Sequence, residues 1–391
     1  MSKLLIISFD AIASDVWENT LARYRNAATF AGDAETVLGV ESIFLTNTYP
    51  IHCSVATGKM PGEHGVYNNV SAFPEPHPKW TTQASAIKAP TLWQAAASAG
   101  LRVAAVLWPC TGGSPHISYN IPEIPPVPGQ NQIRANLKAG TKLLQLNMLF
   151  RYGKLLNGIK QPDLDNFVTT AAADILRRKK PDLTLVHFTC GDAFGHEYGR
   201  NLSLLEPAYK ALDENLGRLI EAAGEETAVI VFSDHACLDV HTEITPNDVL
   251  VDMGLLVRKE GLYEPGAGRC YFECCGGSAF FQAGSLLEGD IGPVRKRIAG
   301  LEGFSRFLTE EEMRGSGRAE LSFGFGLKQG FAAYSYPSGH KGDHGYPVDT
   351  PDYKVFYAVK GKGYEPGAIR YGGSLLDLAP IAAGLLDIDW R

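Results

Sequence analysis

The chain has 391 residues, 45% of them hydrophobic, 20% charged and 10% aromatic, a composition that excludes disordered, collagenous and coiled-coil architectures. Lys and Arg number 36 against 43 Asp and Glu, a formal charge of −7, which argues against a grip on polymeric nucleic acid. If the protein handles phosphates, bound cations must supply the attraction that bulk charge does not.

In chain order, Lys3–Phe9 reads as a buried strand that ends on Asp10. Its apolar part is too short for a signal peptide. Val16–Ala31 has helical spacing. A helix runs from Pro90-Thr91-Leu92 to Ala99 and closes at Gly100, followed by a strand over Arg102–Leu107. Asp165–Arg178 and Leu204–Ala222 are helical, and Leu183–Phe188 and Ala228–Phe232 are strands. Apolar strands alternating with helices imply an α/β fold with a mostly parallel sheet covered on both faces.

Residues 242–335 break this rhythm, with frequent Gly and Pro and short strands around Arg269–Gln282. They read as an inserted subdomain that shapes the leaving-group pocket, with Tyr263, Phe272 and Phe323–Phe325 as candidates for stacking. The alternation resumes over Lys354–Val359 and Ser374–Leu386, so residues 1–241 and 336–391 form the catalytic core. No stretch approaches the ~18 apolar residues of a membrane span, and no membrane partner is expected. Seven scattered cysteines, an odd number, are expected to be reduced thiols in a cytoplasmic protein.

Three strand runs lead within a few residues to an acid: Asp10, Asp192 and Asp234. Ligand sites of parallel sheets lie beyond the carboxyl ends of the strands, and three acids gathered there repel unless a cation neutralises them. Asp192-Ala-Phe-Gly-His196 adds an imidazole four residues on, Asp234-His235 adds one alongside, and His344 lies between Asp343 and Gly345. Each pair alone is common on protein surfaces. Together, three Asp and three His suit two divalent ions with three ligands each, Zn²⁺ first and Mn²⁺ as the alternative. Two such ions form a clamp for in-line displacement at phosphorus.

A nucleophile is also needed. In Leu45-Thr-Asn-Thr48-Tyr-Pro50-Ile-His52 a strand end passes through a turn into a helix. A hydroxyl at such a helix start faces free N–H groups, a natural phosphate seat. Thr48 could equally be a simple helix cap, and Thr46 and Ser54 are weaker candidates for the nucleophile.

Together these residues resemble the nucleotide pyrophosphatase/phosphodiesterase branch of the alkaline phosphatase superfamily. The matching landmarks are Phe9-Asp10, Thr48-Tyr-Pro-Ile-His52, Thr57-Gly58, Pro61-Gly-Glu-His64-Gly-Val, Trp108-Pro109, Asp192-x-x-x-His196-x-Tyr-Gly, Ser233-Asp-His235 and His344-Gly-Tyr346. They run in the family's order over nearly the whole chain. The resemblance implies an alkaline-phosphatase-like core, with Asp192, His196 and His344 on one zinc. It implies Asp10, Asp234 and His235 on the other, together with Thr48, which would form a phospho-threonine. Asn69 would donate to a nonbridging phosphoryl oxygen, and His52 and His64 would be structural. Ile51 and Ala236-Cys237 depart from the family's usual residues and leave the implied ligands in place.

The expected substrate is a small phosphodiester or nucleotide pyrophosphate, because the 41–70 segment holds no Arg and Lys59 is its only cation. Lys59 is the candidate substrate-binding cation. Phosphonoacetate hydrolysis is the alternative, with Lys59, Arg102, Arg269 or Lys341 on the carboxylate, and phosphomonoester hydrolysis is another. A non-catalytic nucleotide-binding relative would carry the metals without turnover. The sequence leaves the oligomeric state open.

Overall fold

The computed structural model describes residues 3–71, 73–74, 77–264 and 270–390. Its centre is an eight-stranded sheet. Six strands, β1 (Lys3–Phe9), β2 (Glu35–Val40), β3 (Val103–Val106), β4 (Tyr119–Ile121), β5 (Leu183–Phe188) and β6 (Thr227–Ser233), are joined by Val355–Lys360 and Ile369–Tyr371. The order across the sheet is Ile369–Tyr371, β2, Val355–Lys360, β6, β1, β5, β3, β4. Only Val355–Lys360 runs antiparallel to its neighbours. All other pairings are parallel, as the largely apolar runs imply.

The period of two along β1 splits its side chains between two cores. Leu5, Ile7 and Phe9 pack with Trp17, Phe30, Phe167 and Leu212 on one face. Leu4 and Ile6 pack with Trp93, Phe232 and Leu378 on the other. Burial on both faces makes β1 the spine of the sheet and fixes its register. Phe9 lies opposite Phe188 of β5 and Ser233 of β6, so the next residues, Asp10 and Asp234, emerge side by side.

A second, antiparallel sheet of four strands is built from Tyr271–Cys274, Ser278–Gln282, Phe323–Leu327 and Phe304–Phe307. It lies within 242–335 and has its own apolar cluster, which includes Phe272, Phe281, Val294, Ile298 and Phe325. The continuous helix expected over Val16–Ala31 is instead three pieces, Ser14–Asn19, Leu21–Arg23 and Arg25–Asp33, because Thr20 (φ −129°, ψ −69°) and Tyr24 (φ −73°, ψ 152°) both leave the helical conformation. Helices Gln132–Ala139 and Lys142–Tyr152 follow a Pro-rich stretch, in a region that the sequence pattern leaves unassigned. Every cysteine is free, and no helix among the described residues is long and apolar enough to cross a membrane.

Candidate active site

The carboxyl edge of the sheet gathers six acidic and imidazole side chains. Asp10 follows β1, and Asp234 and His235 follow β6. Asp192 and His196 lie one turn apart on helix Cys190–Tyr198, just beyond β5. His344 follows the short strand Gly342–Asp343. Two glycines permit the approach. A Cβ on Gly191 would fall 2.3 Å from the Asp10 carbonyl oxygen. Gly345, at φ +82°, would place one 1.6 Å from the Cys275 carbonyl oxygen. No side chain fits at either position.

The six fall into two groups, Asp192/His196/His344 and Asp10/Asp234/His235, with the candidate ligand atoms of each within 4.8 Å of one another. Asp192 Oδ1 lies 3.3 Å from His196 Nε2 and 3.8 Å from His344 Nε2. His235 Nε2 lies 3.3 Å from Asp10 Oδ1 and 3.5 Å from Asp234 Oδ2. Tetrahedral ligands at bonds of ~2.0–2.1 Å sit about 3.3 Å apart. Asp10 Oδ1, Asp192 Oδ1 and Asp234 Oδ2 are all buried without a hydrogen-bond partner, and buried carboxylate oxygens rarely stay unpaired. Each imidazole meets an acceptor through Nδ1: His196 at Gly342 O (2.9 Å), His344 at Asn47 Oδ1 (3.0 Å) and His235 at Ala236 O (3.4 Å). That leaves the three Nε2 lone pairs facing the three orphaned oxygens.

Electrostatics agree. Burial lowers His235 and His344 to about 4, which keeps both neutral and able to ligate near pH 7. Burial, then the charge of Asp234, pushes Asp10 well above the usual carboxylate range. Burial also raises Asp234 to about 6. Burial opposes the charge of Asp192 too, but His196, His344 and His235 outweigh it and hold its carboxyl low. Carboxylates crowded in this way fit a cation centre.

Thr48 is the first residue of helix Thr48–Thr57, and its Oγ1 lies 3.3 Å from His235 Nε2. The other hydroxyls are committed elsewhere. Thr46 Oγ1 donates to Tyr346 O and accepts from Tyr353 OH, and Ser54 Oγ pairs with His64 Nε2 at 2.9 Å. His52 is fully buried, with Nδ1 2.8 Å from Thr48 O. Asn69 Oδ1 accepts from Tyr49 N at 2.8 Å, and Asn69 lines the same cavity as Thr48.

A cavity of about 560 Å³ opens on Thr48, Asn69, Asp10, Asp192, His196 and His344. Its walls come from Tyr49, Trp80 and the stretch 121–168, including Pro122, Ile124, Leu156 and Phe167. Among the described residues, no Lys or Arg lines it. This corrects two expectations. Lys59 lies past the far end of helix Thr48–Thr57, whose first residue is Thr48, and pairs with Glu63 at 3.3 Å, both side chains half-exposed. It does not reach the site. No described residue of 242–335 lines the cavity either. Tyr263, Phe272, Phe323 and Phe325 are buried in that subdomain's own core. The subdomain braces the site from behind. Glu273 Oε1 accepts from Asn68 Nδ2 at 2.8 Å and from Arg318, and Asn68 Oδ1 accepts from the Asn47 amide and the Asn69 N–H, each at 2.7 Å.

The other cations fare no better. Arg102 lies just before β3, at the opposite edge of the sheet, and pairs with Asp182. Lys341 is exposed and meets His196 only through its backbone. Arg269 falls outside the described residues. The structure adds residues that the sequence pattern did not single out. His187 of β5 is buried, with Nε2 3.1 Å from Asp10 Oδ2 and Nδ1 3.3 Å from Glu123 Oε2. A histidine inside a mostly apolar strand was the available signal.

The model of the type I phosphodiesterase / nucleotide pyrophosphatase family matches residues 4–277. Bis(5'-adenosyl)-triphosphatase ENPP4 of Pongo abelii is 24% identical over 269 residues, 64% of this chain and 51% of that protein. The Homo sapiens protein of the same name is 24% identical over 251 residues, 60% of this chain and 47% of that protein. The chain thus spans about half the length of the curated relatives it matches. Murine ectonucleotide pyrophosphatase / phosphodiesterase 5, as an inactive variant in complex with AMP, has a TM-score of 0.73 at 17% identity, covering 100% of this chain and 96% of that one. The human counterpart has a TM-score of 0.70 at 18% identity, covering 99% and 96%. At these identities the likeness shows the fold.

Proposed function

The chain belongs to the type I phosphodiesterase / nucleotide pyrophosphatase family, and we propose that it hydrolyses phosphodiester or nucleotide pyrophosphate bonds with Thr48 as nucleophile at a site for two divalent ions, Zn²⁺ or Mn²⁺. The observation that carries this reading is the set of three orphaned carboxylate oxygens facing three Nε2 atoms, with the Thr48 hydroxyl at its edge. Asp192, His196 and His344 would hold one ion, and Asp10, Asp234, His235 and Thr48 the other. Bound there, the ions would offset phosphoryl charge, favour the deprotonated Thr48 hydroxyl and acidify the water of the second step.

Thr48 Oγ1 attacks phosphorus in line as the bond to the leaving oxygen breaks, giving a phospho-threonine. Water then attacks the same phosphorus and releases Thr48 and the phosphate product. The Asn69 amide donates to a nonbridging oxygen, and the positive end of helix Thr48–Thr57 faces the phosphoryl group. The leaving group lies in the cavity against Tyr49 and Trp80, whose rings are 5.5 Å apart.

A cavity lined by no described Lys or Arg suits a monoanionic diester better than a dianionic monoester or the carboxylate of phosphonoacetate. The relatives named as bis(5'-adenosyl)-triphosphatases and the neighbour solved with AMP support a nucleotide. The test compares kcat/KM for bis-p-nitrophenyl phosphate and p-nitrophenyl phosphate on metal-loaded protein, with Thr48→Ala as the blank. A ratio above one, lost in the blank, is expected. A ratio below one overturns the diester preference. Silence on both substrates with two ions bound favours phosphonoacetate or a non-catalytic relative.

A further inference from the structure

From residue 124 to residue 162 the chain carries Arg134, Lys138, Lys142, Arg151, Lys154 and Lys160 and no Asp or Glu, in a protein of net charge −7. Arg151 is tied to Asp174 at 2.7 Å, and the other five cations are exposed. Helix Lys142–Tyr152 buries Leu144 and Met148 against the core. On its other side Leu143, Leu146 and Phe150, at i, i+3 and i+7, project outward, with Leu143 82% and Phe150 90% exposed. Ile133 and Ile159 are exposed nearby in sequence. A surface helix ordinarily buries one apolar stripe and wets the other face. A helix apolar on both faces marks a second partner.

The same stretch borders the cavity, through Gln132, Asn136, Leu156 and Ile159. We propose that residues 131–160 form a docking face for an anionic lipid surface, with Leu143, Leu146 and Phe150 entering the interface and Arg134, Lys138, Lys142, Lys154 and Lys160 meeting the headgroups. The charge decides the occupant. A second copy packed two-fold on this face would set five cations against five, whereas an anionic bilayer complements them around an apolar centre. Such docking needs a face and no spanning helix. Placed there, the cavity would open toward the lipid surface, a consequence that rests on the hydrolase reading, while the docking itself does not.

The test sediments the full chain with vesicles of phosphatidylcholine alone and of phosphatidylcholine mixed with phosphatidylserine. Binding on the order of tenfold stronger to the anionic vesicles is expected, falling as salt rises. The variants L143E/F150E and K138E/K142E should lose it while keeping the parent's melting curve and metal content. Equal binding to both vesicles, or to neither, overturns the proposal. So does a concentration-dependent dimer by light scattering that F150E dissolves, which would give the face to a second copy. No turnover enters this readout, so its failure and the failure of the hydrolase reading are distinguishable.

Discussion

His344 and Asn47 are 297 residues apart in sequence, yet Nδ1 of one lies 3.0 Å from Oδ1 of the other. Asn47 directly precedes Thr48, and its amide donates to Asn68 at 2.7 Å. One side chain therefore ties a candidate ligand to the start of helix Thr48–Thr57 and to the loop that carries Asn69. Asn47→Ala leaves the His344 ring without its acceptor. A roughly 10–100-fold loss of metal affinity is expected, read by competition with a chromophoric chelator. Unchanged affinity would remove the positioning role.

Thr48→Ala deletes one oxygen and no carboxylate or imidazole. Metal content should stay near that of the parent while turnover of bis-p-nitrophenyl phosphate disappears. Thr48→Ser, which keeps the hydroxyl, should recover part of the rate. Mass spectrometry of a quenched reaction should find the phosphoryl group on residue 48 and nowhere else.

Removing divalent ions with a chelator should lower the melting temperature, because Asp10 and Asp234 then face each other without a neutralising charge. Asp10 stands well above the usual carboxylate range through burial and that neighbour, so the metal-free protein should lose less stability at pH 5 than at pH 8. Differential scanning fluorimetry with and without added Zn²⁺ checks both points.

Asp165 gives a pH dependence away from the ions. It is fully buried and accepts from Thr189 N (3.1 Å) and Cys190 N (3.0 Å), where the Asp192–His196 helix begins. Burial raises its pKa to about 6, against those hydrogen bonds. Its folded pKa exceeds the unfolded value of ~3.9, so the folded chain binds the extra proton between about pH 4 and 6. Stability from this group is full below about pH 4 and is lost as pH rises through 6, by about 3 kcal/mol in all. Urea midpoints of the parent, compared with Asp165→Asn, should show this slope only in the parent.

Two charged residues should behave oppositely. Glu273 and Arg318 form a pair with side chains 3% and 9% exposed, so Arg318→Met strands a buried carboxylate and should cost about 3–5 kcal/mol in chemical denaturation. Through Asn68 it should also lower kcat. Lys59→Ala, at a half-exposed surface pair, should change stability by less than about 0.5 kcal/mol and leave kcat/KM unaltered.

The parallel core was readable because its strands are short, mostly apolar runs between helical stretches: Lys3–Phe9 and Leu183–Phe188 have the same bounds in the fold as in the sequence pattern. The residues gathered at the sheet edge were readable because each follows a strand by a few positions. The cavity wall was not. Its Pro-rich stretch and short helices carry no long apolar period, and its position depends on contacts such as that of His187 with Glu123, 64 residues away in sequence. Lys59 failed as a candidate because nearness in sequence to Thr48 becomes distance along a helix.

The six clustered Asp and His side chains are held by the central strands, helix Cys190–Tyr198 and the turns that follow the strands, whereas most of the cavity wall comes from one continuous stretch between residues 107 and 168. The Asp and His cluster and most of the cavity wall thus come from different portions of the chain, which meet where Asp165 accepts from Thr189 N and Cys190 N. A relative with a different 107–168 stretch could accept a different leaving group and keep the same chemistry. Grafting that stretch between family members is then a question of fit at its two ends and at the contacts of Glu123 with His187 and of Asp165 with Thr189 and Cys190.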